Sequence, residues 1–253
     1  VIGHGNRTRA PVPVLVAGVA LAGAVHALGS ASQPRLPAPI GARIAAFQSK
    51  DGTALTGRYV ESAQRPAPGV VLVHMLTRSG SDWAELAAEL ETAGISTLAV
   101  DLRGHGQSSG SASGLMEMVD DVRAAVQWLA ARPAVRRDSL GIVGVSLGAN
   151  LALLSAPDEP LVRAVAAVSP SLDYQGVRVG PDLMKKLGNR RVWLAASTQD
   201  PLAVRTVRDL SQVVPDIVDQ QLSAEPAHGA RLLQADRALA RALVDWLRLR
   251  LLS

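Results

Sequence analysis

No cysteine occurs in the 253 residues. That removes disulfides, thiolate metal sites and a cysteine nucleophile, and it leaves the redox compartment open. Aromatic residues are nearly as scarce, at 3%, with one Phe and two Tyr. A surface that grips single-stranded nucleic acid by stacking needs such rings, so nucleic acid is not an expected partner. Long runs of one charge are also missing. The net charge of +4 is spread along the chain, which describes an arginine-bearing solvated surface rather than a polyanion site. With 48% apolar residues and so few rings, the core must be built from Ala, Val and Leu. That suits helices layered on a buried sheet, and the length is enough for one domain with a sizeable core.

The N-terminal segment differs in kind from the rest. Arg7 and Arg9 precede an apolar run from Val12 to Leu28, and the small residues Gly29-Ser30-Ala31 follow. A basic part, an apolar part and a small-residue part in that order form the layout of a secretory signal peptide, cleaved after Ala31. The other reading of residues 1–31 is an uncleaved anchor, since the run is barely long enough to span a bilayer. Both readings export the domain, to the periplasm or the medium, and membrane contact is expected only through this segment. Residues 32–41 read as a Pro-rich linker, and residues 42–253 as the folded domain.

Within that domain "ARIAAFQSKDGTALTGRYV" reads as two strands around an Asp51-Gly52 turn. "PGVVLVHM", "ISTLAVD" and "LGIVGVS" are continuous apolar runs, expected as strands buried on both faces. "DWAELAAELETAG" and "MEMVDDVRAAVQWLAARP" carry helical spacing and end at Gly or Pro. "LGANLALLSA" opens a further helix. "VRAVAAVSP" and "RVWLAAST" read as strands, "LAVRTVRDLSQVV" as a helix, "IVDQQLSA" as a last strand and "RALARALVDWLRLRLL" as a closing helix. Strands and helices alternate after an antiparallel start. The expected fold is therefore α/β, with a mostly parallel sheet of about eight strands and helices on both faces. Sites in such sheets lie at the carboxyl ends of the strands, so the residues after each strand are the informative ones.

Gly144-Val145-Ser146-Leu147-Gly148 follows one buried strand and opens a helix. The bare G-x-S-x-G pattern carries little, but its strand-turn-helix setting sharpens it. Glycines on either side permit a tight, strained turn that holds Ser146 clear of the sheet. A serine nucleophile needs a base, and the base an orienting carboxylate. At a serine elbow of this kind the chain order is serine, acid, histidine. Of the five histidines, His4 and His26 lie in the N-terminal segment, and His74 and His105 precede the serine. Only His228, past the last strand, fits the order. Asp200 follows the penultimate strand and is the favoured acid, with Asp173 as the alternative. Two backbone N–H groups are expected to form an oxyanion hole. One belongs to Leu147, and the other to Leu76 in the loop after "VVLVH", with Met75 as the second choice. His74 is expected to shape that loop. His105 in "GHGQSSG" is a loop-structuring residue rather than part of a phosphate cradle, because the Lys of a P-loop is missing. No metal-ligand cluster is visible, and no metal or cofactor is expected.

These segments resemble the α/β-hydrolase superfamily, nearest its small esterase, serine-peptidase-like and dienelactone-hydrolase-like branch. "VVLVHMLTRSGSDW" is similar to the family's strand and oxyanion loop, and "LAVDLRGHGQSSG" to its D-x-R-G-H-G-x-S loop, with His105 in the histidine slot. "GVSLG" resembles the nucleophile elbow, "TQDP" the acid turn and "AHG" the histidine turn. Two departures stand out. Many relatives carry Gly where this chain has Met75, which bears on the acyl pocket. Dienelactone-type relatives often use cysteine, where this chain has serine. The resemblance implies a serine hydrolase that cleaves small-molecule acyl substrates of ester type. Peptide or amide hydrolysis, acyl transfer, and a non-catalytic exported binding protein are the alternatives. Family specificity usually resides in an insertion after the sixth strand. Here "SPSLDYQGVRVGPDLMKKLGNR" leaves room for a loop and one short helix, so a minimal lid is expected. Tyr174, Val177 and Met184 are assigned either to its rim or to packing. The oligomeric state has no signature in the sequence.

Overall fold

The computed structural model describes residues 1–3 and 41–252. Most of the expected leader and linker thus lies outside the described residues. From residue 41 on, the chain forms an eight-stranded sheet. Its strands are β1 (Arg43–Gln48), β2 (Ala54–Val60), β3 (Ala67–Val73), β4 (Ser96–Asp101), β5 (Val135–Val145), β6 (Val162–Val168), β9 (Arg191–Ser197) and β10 (Val218–Ser223). The spatial order is β1-β2-β4-β3-β5-β6-β9-β10. β1 pairs antiparallel with β2, and β2 antiparallel with β4. Every other pairing in this sheet is parallel. The expected α/β architecture is therefore the observed one.

Among the described residues, seven α-helices accompany the sheet: α1 (Ala84–Thr92), α2 (Met118–Ala130), α3 (Leu147–Ser155), α4 (Pro181–Lys186), α5 (Pro201–Val213), α6 (Ala230–Ala235) and α7 (Arg237–Leu251). Two apolar layers hold them on the sheet. On one face Val71, Val73 and Ile142 pack with Val122, Leu129, Leu151 and Leu210 from α2, α3 and α5. On the other, Val70, Leu72 and Val143 pack with Leu90, Leu243 and Leu247 from α1 and α7. Alternate strand residues serve opposite layers, the two-residue period of a strand. Because β3 is buried along its whole length, it has no polar face, as the continuous apolar run requires.

Several details differ from the sequence expectation. β5 begins at Val135 rather than at Leu140, because the polar stretch Arg136–Asp138 continues the strand with Arg136 half-buried and Arg137 and Asp138 exposed. The α1 region opens with a 3-10 turn at Gly80–Trp83, capped by Ser79. The segment after β6 holds a small antiparallel hairpin, β7 (Asp173–Tyr174) with β8 (Val177–Arg178), before α4. Val177 and Met184 are fully buried, so both pack in the core and neither forms a rim. Tyr174 is half-buried against the same layer. The insertion is short, as expected. Among the described residues, no helix is long and apolar enough to cross a membrane.

Candidate active site

β5 carries the chain to the middle of the sheet and ends at Val145, one residue before Ser146. Ser146 has φ 54° and ψ −120°, a left-handed conformation that costs a non-glycine residue on the order of 1–3 kcal/mol. The neighbours show why the turn needs its two glycines. A Cβ on Gly144 would lie 2.0 Å from the Gly148 carbonyl oxygen, and one on Gly148 would lie 2.3 Å from that of Val73. Ser146 N–H donates to Val168 O on β6 at 2.9 Å. The elbow is thereby locked between β3 and β6, with Ser146 at the cap of α3.

Ser146 meets the histidine from the loop after β10. Its hydroxyl donates to His228 Nε2 at 2.9 Å. His228 Nδ1–H donates to Asp200 Oδ2 at 2.6 Å. Asp200 caps α5, and its other oxygen accepts from Ala203 N–H at 3.1 Å. One carboxylate thus ends a helix with Oδ1 and orients an imidazole with Oδ2, which leaves it little rotational freedom. The two loops are tied together as well. Ser197 Oγ–H donates to Glu225 O at 2.6 Å and accepts from Gln199 N–H at 3.1 Å. Asp173, the alternative acid, is engaged elsewhere. Its carboxylate accepts from Arg178 Nε–H and from Gly176 N–H, both at 2.7 Å, inside the β7–β8 hairpin.

The loop after β3 is held by two histidines. Leu102 N–H donates to His74 Nε2 at 3.1 Å, and His74 Nδ1–H donates to Met75 O at 2.7 Å. Thr77 N–H donates to His105 Nε2 at 3.2 Å, and His105 Nδ1–H donates to Arg103 O at 2.9 Å. The two rings stand 5.1 Å apart between centroids. Burial pushes the His74 imidazolium down to about 4, only partly opposed by its hydrogen bond to Met75 O. His74 is therefore a neutral brace at neutral pH, and both histidines have the loop-shaping role expected of them. Among the described residues, neither Met75 N–H nor Leu76 N–H donates to a protein acceptor. Leu147 is the first residue of α3, where an N–H has no partner within the helix. These are free donors beside the serine elbow.

Met75 and Leu76 send their side chains to different layers. Met75 packs with the α1/α7 layer, and its Sδ lies 3.1 Å from where a Cβ on Gly229 would sit. The departure from Gly at this position therefore fills the space behind the histidine turn. Leu76 packs against the opposite layer and lines an open groove of about 360 Å³ with Ala112, Leu115, Met116 and Gln175. A second open groove, of about 420 Å³, runs over Asp200, Leu202, Pro226, Ala227 and His228. The His228 side chain is 44% exposed, so the base faces solvent directly.

The family described as "Serine aminopeptidase, S33" matches residues 64–235, a span that includes Ser146, Asp200 and His228. The chain belongs to this family. It is an α/β-hydrolase enzyme, as the sequence resemblance implied. Among curated relatives, the polyketide transferase ATR5 of Stachybotrys chlorohalonatus is 30% identical over 132 residues, 51% of this chain and 44% of that protein. The thiohydrolase apmlB of Arthrinium phaeospermum is 31% identical over 129 residues, 49% of this chain and 42% of that protein. The uncharacterized protein YfhR of Salmonella typhimurium is 29% identical over 156 residues, 56% of this chain and 53% of that protein. The chain spans about half the length of the curated relatives it matches. Among solved structures, the esterase Pf2001 of Pyrococcus furiosus superposes with a TM-score of 0.69 at 19% identity, over 86% of this chain and 97% of that one. The α/β hydrolase GrgF of Penicillium sp. sh18 gives 0.72 at 13% identity, over 85% and 100%. At such identities the likeness is one of fold.

Proposed function

We propose that this serine hydrolase cleaves ester-type acyl substrates through a Ser146-His228-Asp200 triad and an acyl-enzyme intermediate. The observation that carries the reading is the continuous hydrogen-bonded chain from Ser146 Oγ through His228 to Asp200, set on a strained elbow between two obligatory glycines. His228 Nε2 takes the hydroxyl proton as Ser146 Oγ attacks the substrate carbonyl carbon. The Leu147 and Leu76 N–H groups stabilise the oxyanion of the tetrahedral intermediate. His228 then returns the proton to the leaving group, the carbon–oxygen bond breaks, and an acyl group remains on Ser146. Water, deprotonated by the same imidazole, then attacks the acyl carbon, the bond to Ser146 Oγ breaks, Oγ takes the proton back from His228, and the acid leaves. Asp200 holds the imidazole in the Nδ1–H tautomer and stabilises its protonated form. The leaving group, protonated by His228, occupies the groove over Leu202 and Pro226, and the acyl group the groove over Leu76 and Met116.

Acyl transfer is the second reading. It is favoured by the open, half-exposed base and by relatives whose names describe transferases. Hydrolysis of p-nitrophenyl acetate and butyrate by the full chain, beside Ser146→Ala, tests the first reading. Activity in the wild type that falls by orders of magnitude in the variant supports it. Equal rates in the two proteins reject it. Acceptor alcohols added to the same assay divide water from transfer. We also propose that residues 1–31 export the domain. Edman sequencing of the protein recovered from outside the cytoplasm is expected to start after Ala31, and retention in the cytoplasm of the producing cell argues against it.

A further inference from the structure

Four non-glycine residues among those described have positive φ: Thr77 at 62°, Ser146 at 54°, Ser169 at 53° and Gln175 at 50°. Gln175 sits at the tip of a hairpin, where such a backbone is ordinary. The other three follow β3, β5 and β6 at the carboxyl edge of the sheet. Thr77 belongs to the oxyanion loop and Ser146 is the proposed nucleophile. Ser169 has no part in the relay described above, yet it too has a positive φ, at 1% exposure. Strain of this kind persists only where the surroundings impose it, and it gathers at functional sites.

The bonds around Ser169 show what imposes it. Its N–H donates to Ala195 O on β9, the strand that leads to Asp200, at 2.7 Å. Its neighbour Val168 accepts the Ser146 N–H. Its own hydroxyl oxygen accepts Gly229 N–H, next to His228, at 3.1 Å. Val168-Ser169 thus ties together the three segments that carry nucleophile, acid and base. His228 itself has little packing to fix it, because nearly half of its side chain faces solvent. The backbone on its C-terminal side is anchored by Ser169 Oγ, which accepts Gly229 N–H from a residue of positive φ.

We propose that Ser169 is a positioning residue for the base: its hydroxyl, aimed by a left-handed backbone, anchors Gly229 N–H and so sets His228 Nε2 against Ser146 Oγ. It touches no substrate and acts through His228. The inference rests on the triad reading above and adds a residue to it.

The test uses full-length Ser169→Gly and Ser169→Ala with wild type and Ser146→Ala. Glycine relaxes the backbone, whereas alanine keeps the strain, and both remove the hydroxyl. The expected result is a kcat at least ten-fold lower in both variants with KM within two-fold of wild type. Labelling of Ser146 by a fluorophosphonate should slow by a similar factor, and the Tm of Ser169→Gly should stay at or above that of Ser169→Ala. A residue that only stabilises the fold predicts something else, namely activity that follows Tm, with folded Ser169→Gly at wild-type kcat. That result overturns the inference, as does a rise in KM with kcat unchanged. If wild type and Ser146→Ala turn over ester equally, the triad reading fails instead, so the two failures are distinguishable.

Discussion

Ser146, Asp200 and His228 carry the strongest predictions at the residue scale. Asp200→Asn keeps the size of the side chain but lets an amide N–H face Nδ1, which favours the wrong tautomer. A loss in kcat of about 10⁴-fold is expected, by the behaviour of such triads generally. Asp173→Asn, confined to its hairpin pair with Arg178, is expected to stay within about two-fold of wild type, because surface ion pairs contribute little. Steady-state kinetics on one ester compares the two directly, and a larger loss in Asp173→Asn would reverse the assignment of the acid. His74 supplies a pH dependence. Its imidazolium titrates at about 4 in the fold and at 6.5 in the unfolded chain, so the unfolded chain binds the extra proton between those values. The stability it contributes is complete above about 6.5 and is lost as the pH falls toward 4, on the order of 3 kcal/mol in all. Urea titrations across that window should show a steeper fall for wild type than for His74→Asn, and equal slopes would count against the neutral brace.

The site was partly legible at this scale. The serine elbow, the acid turn and the histidine turn could be found because each follows a strand end and their chain order excludes the other histidines. Ser169 and Thr77 could not be found that way. A left-handed serine or threonine has no side-chain signature, and its strain is visible only once the strands beside it are in place. Val177 and Met184 were equally ambiguous in the sequence, since an apolar residue in a short insertion suits a rim as well as a core.

At the scale of elements, the turn between β5 and α3 is the most constrained. Gly148→Ala would drive a methyl to 2.3 Å from the Val73 carbonyl oxygen. The atoms it would meet, Val73 O and His74 O, are backbone at the end of β3 and cannot swing away as a side chain could. A destabilisation of about 3 kcal/mol or more is expected, together with loss of activity. Denaturant unfolding measures the first, and a variant as stable as wild type would mean that α3 shifts freely. The long elements were readable because they carry a period or a continuous apolar run. The β7–β8 hairpin and α6 were not, because two-residue strands and a six-residue helix hold too few repeats of their period to form a pattern. α6 forms because Gly229, at φ 61°, turns the chain immediately after the histidine, a tertiary demand rather than a local preference.

At the scale of the whole molecule, the insertion after β6 is short, and two open grooves lie near the site, one over Asp200 and His228 and one over Leu76 and Met116. If the groove with half-exposed Met116 holds the acyl group as proposed, its openness predicts tolerance rather than selectivity. Short and medium p-nitrophenyl esters should differ in kcat/KM by less than about ten-fold, since one methylene in an apolar pocket is worth at most about 1–3 kcal/mol when it is enclosed. A steep preference for one chain length would show that an acyl pocket closes on the substrate. Ala-, Val- and Leu-rich packing on both faces of the sheet, foreseen from the scarcity of aromatics, is what holds the three strand ends in register while the site above them stays uncovered.

The proposed mechanism turns on the activated nucleophilicity of Ser146. Its most direct measurement is labelling of the full-length protein by a fluorophosphonate, with peptide mapping by mass spectrometry, beside Ser146→Ala and His228→Ala. The expected result is a single adduct on the peptide that carries Ser146, absent in Ser146→Ala and slowed by orders of magnitude in His228→Ala. An unlabelled wild type, or an adduct that persists in Ser146→Ala, would contradict it.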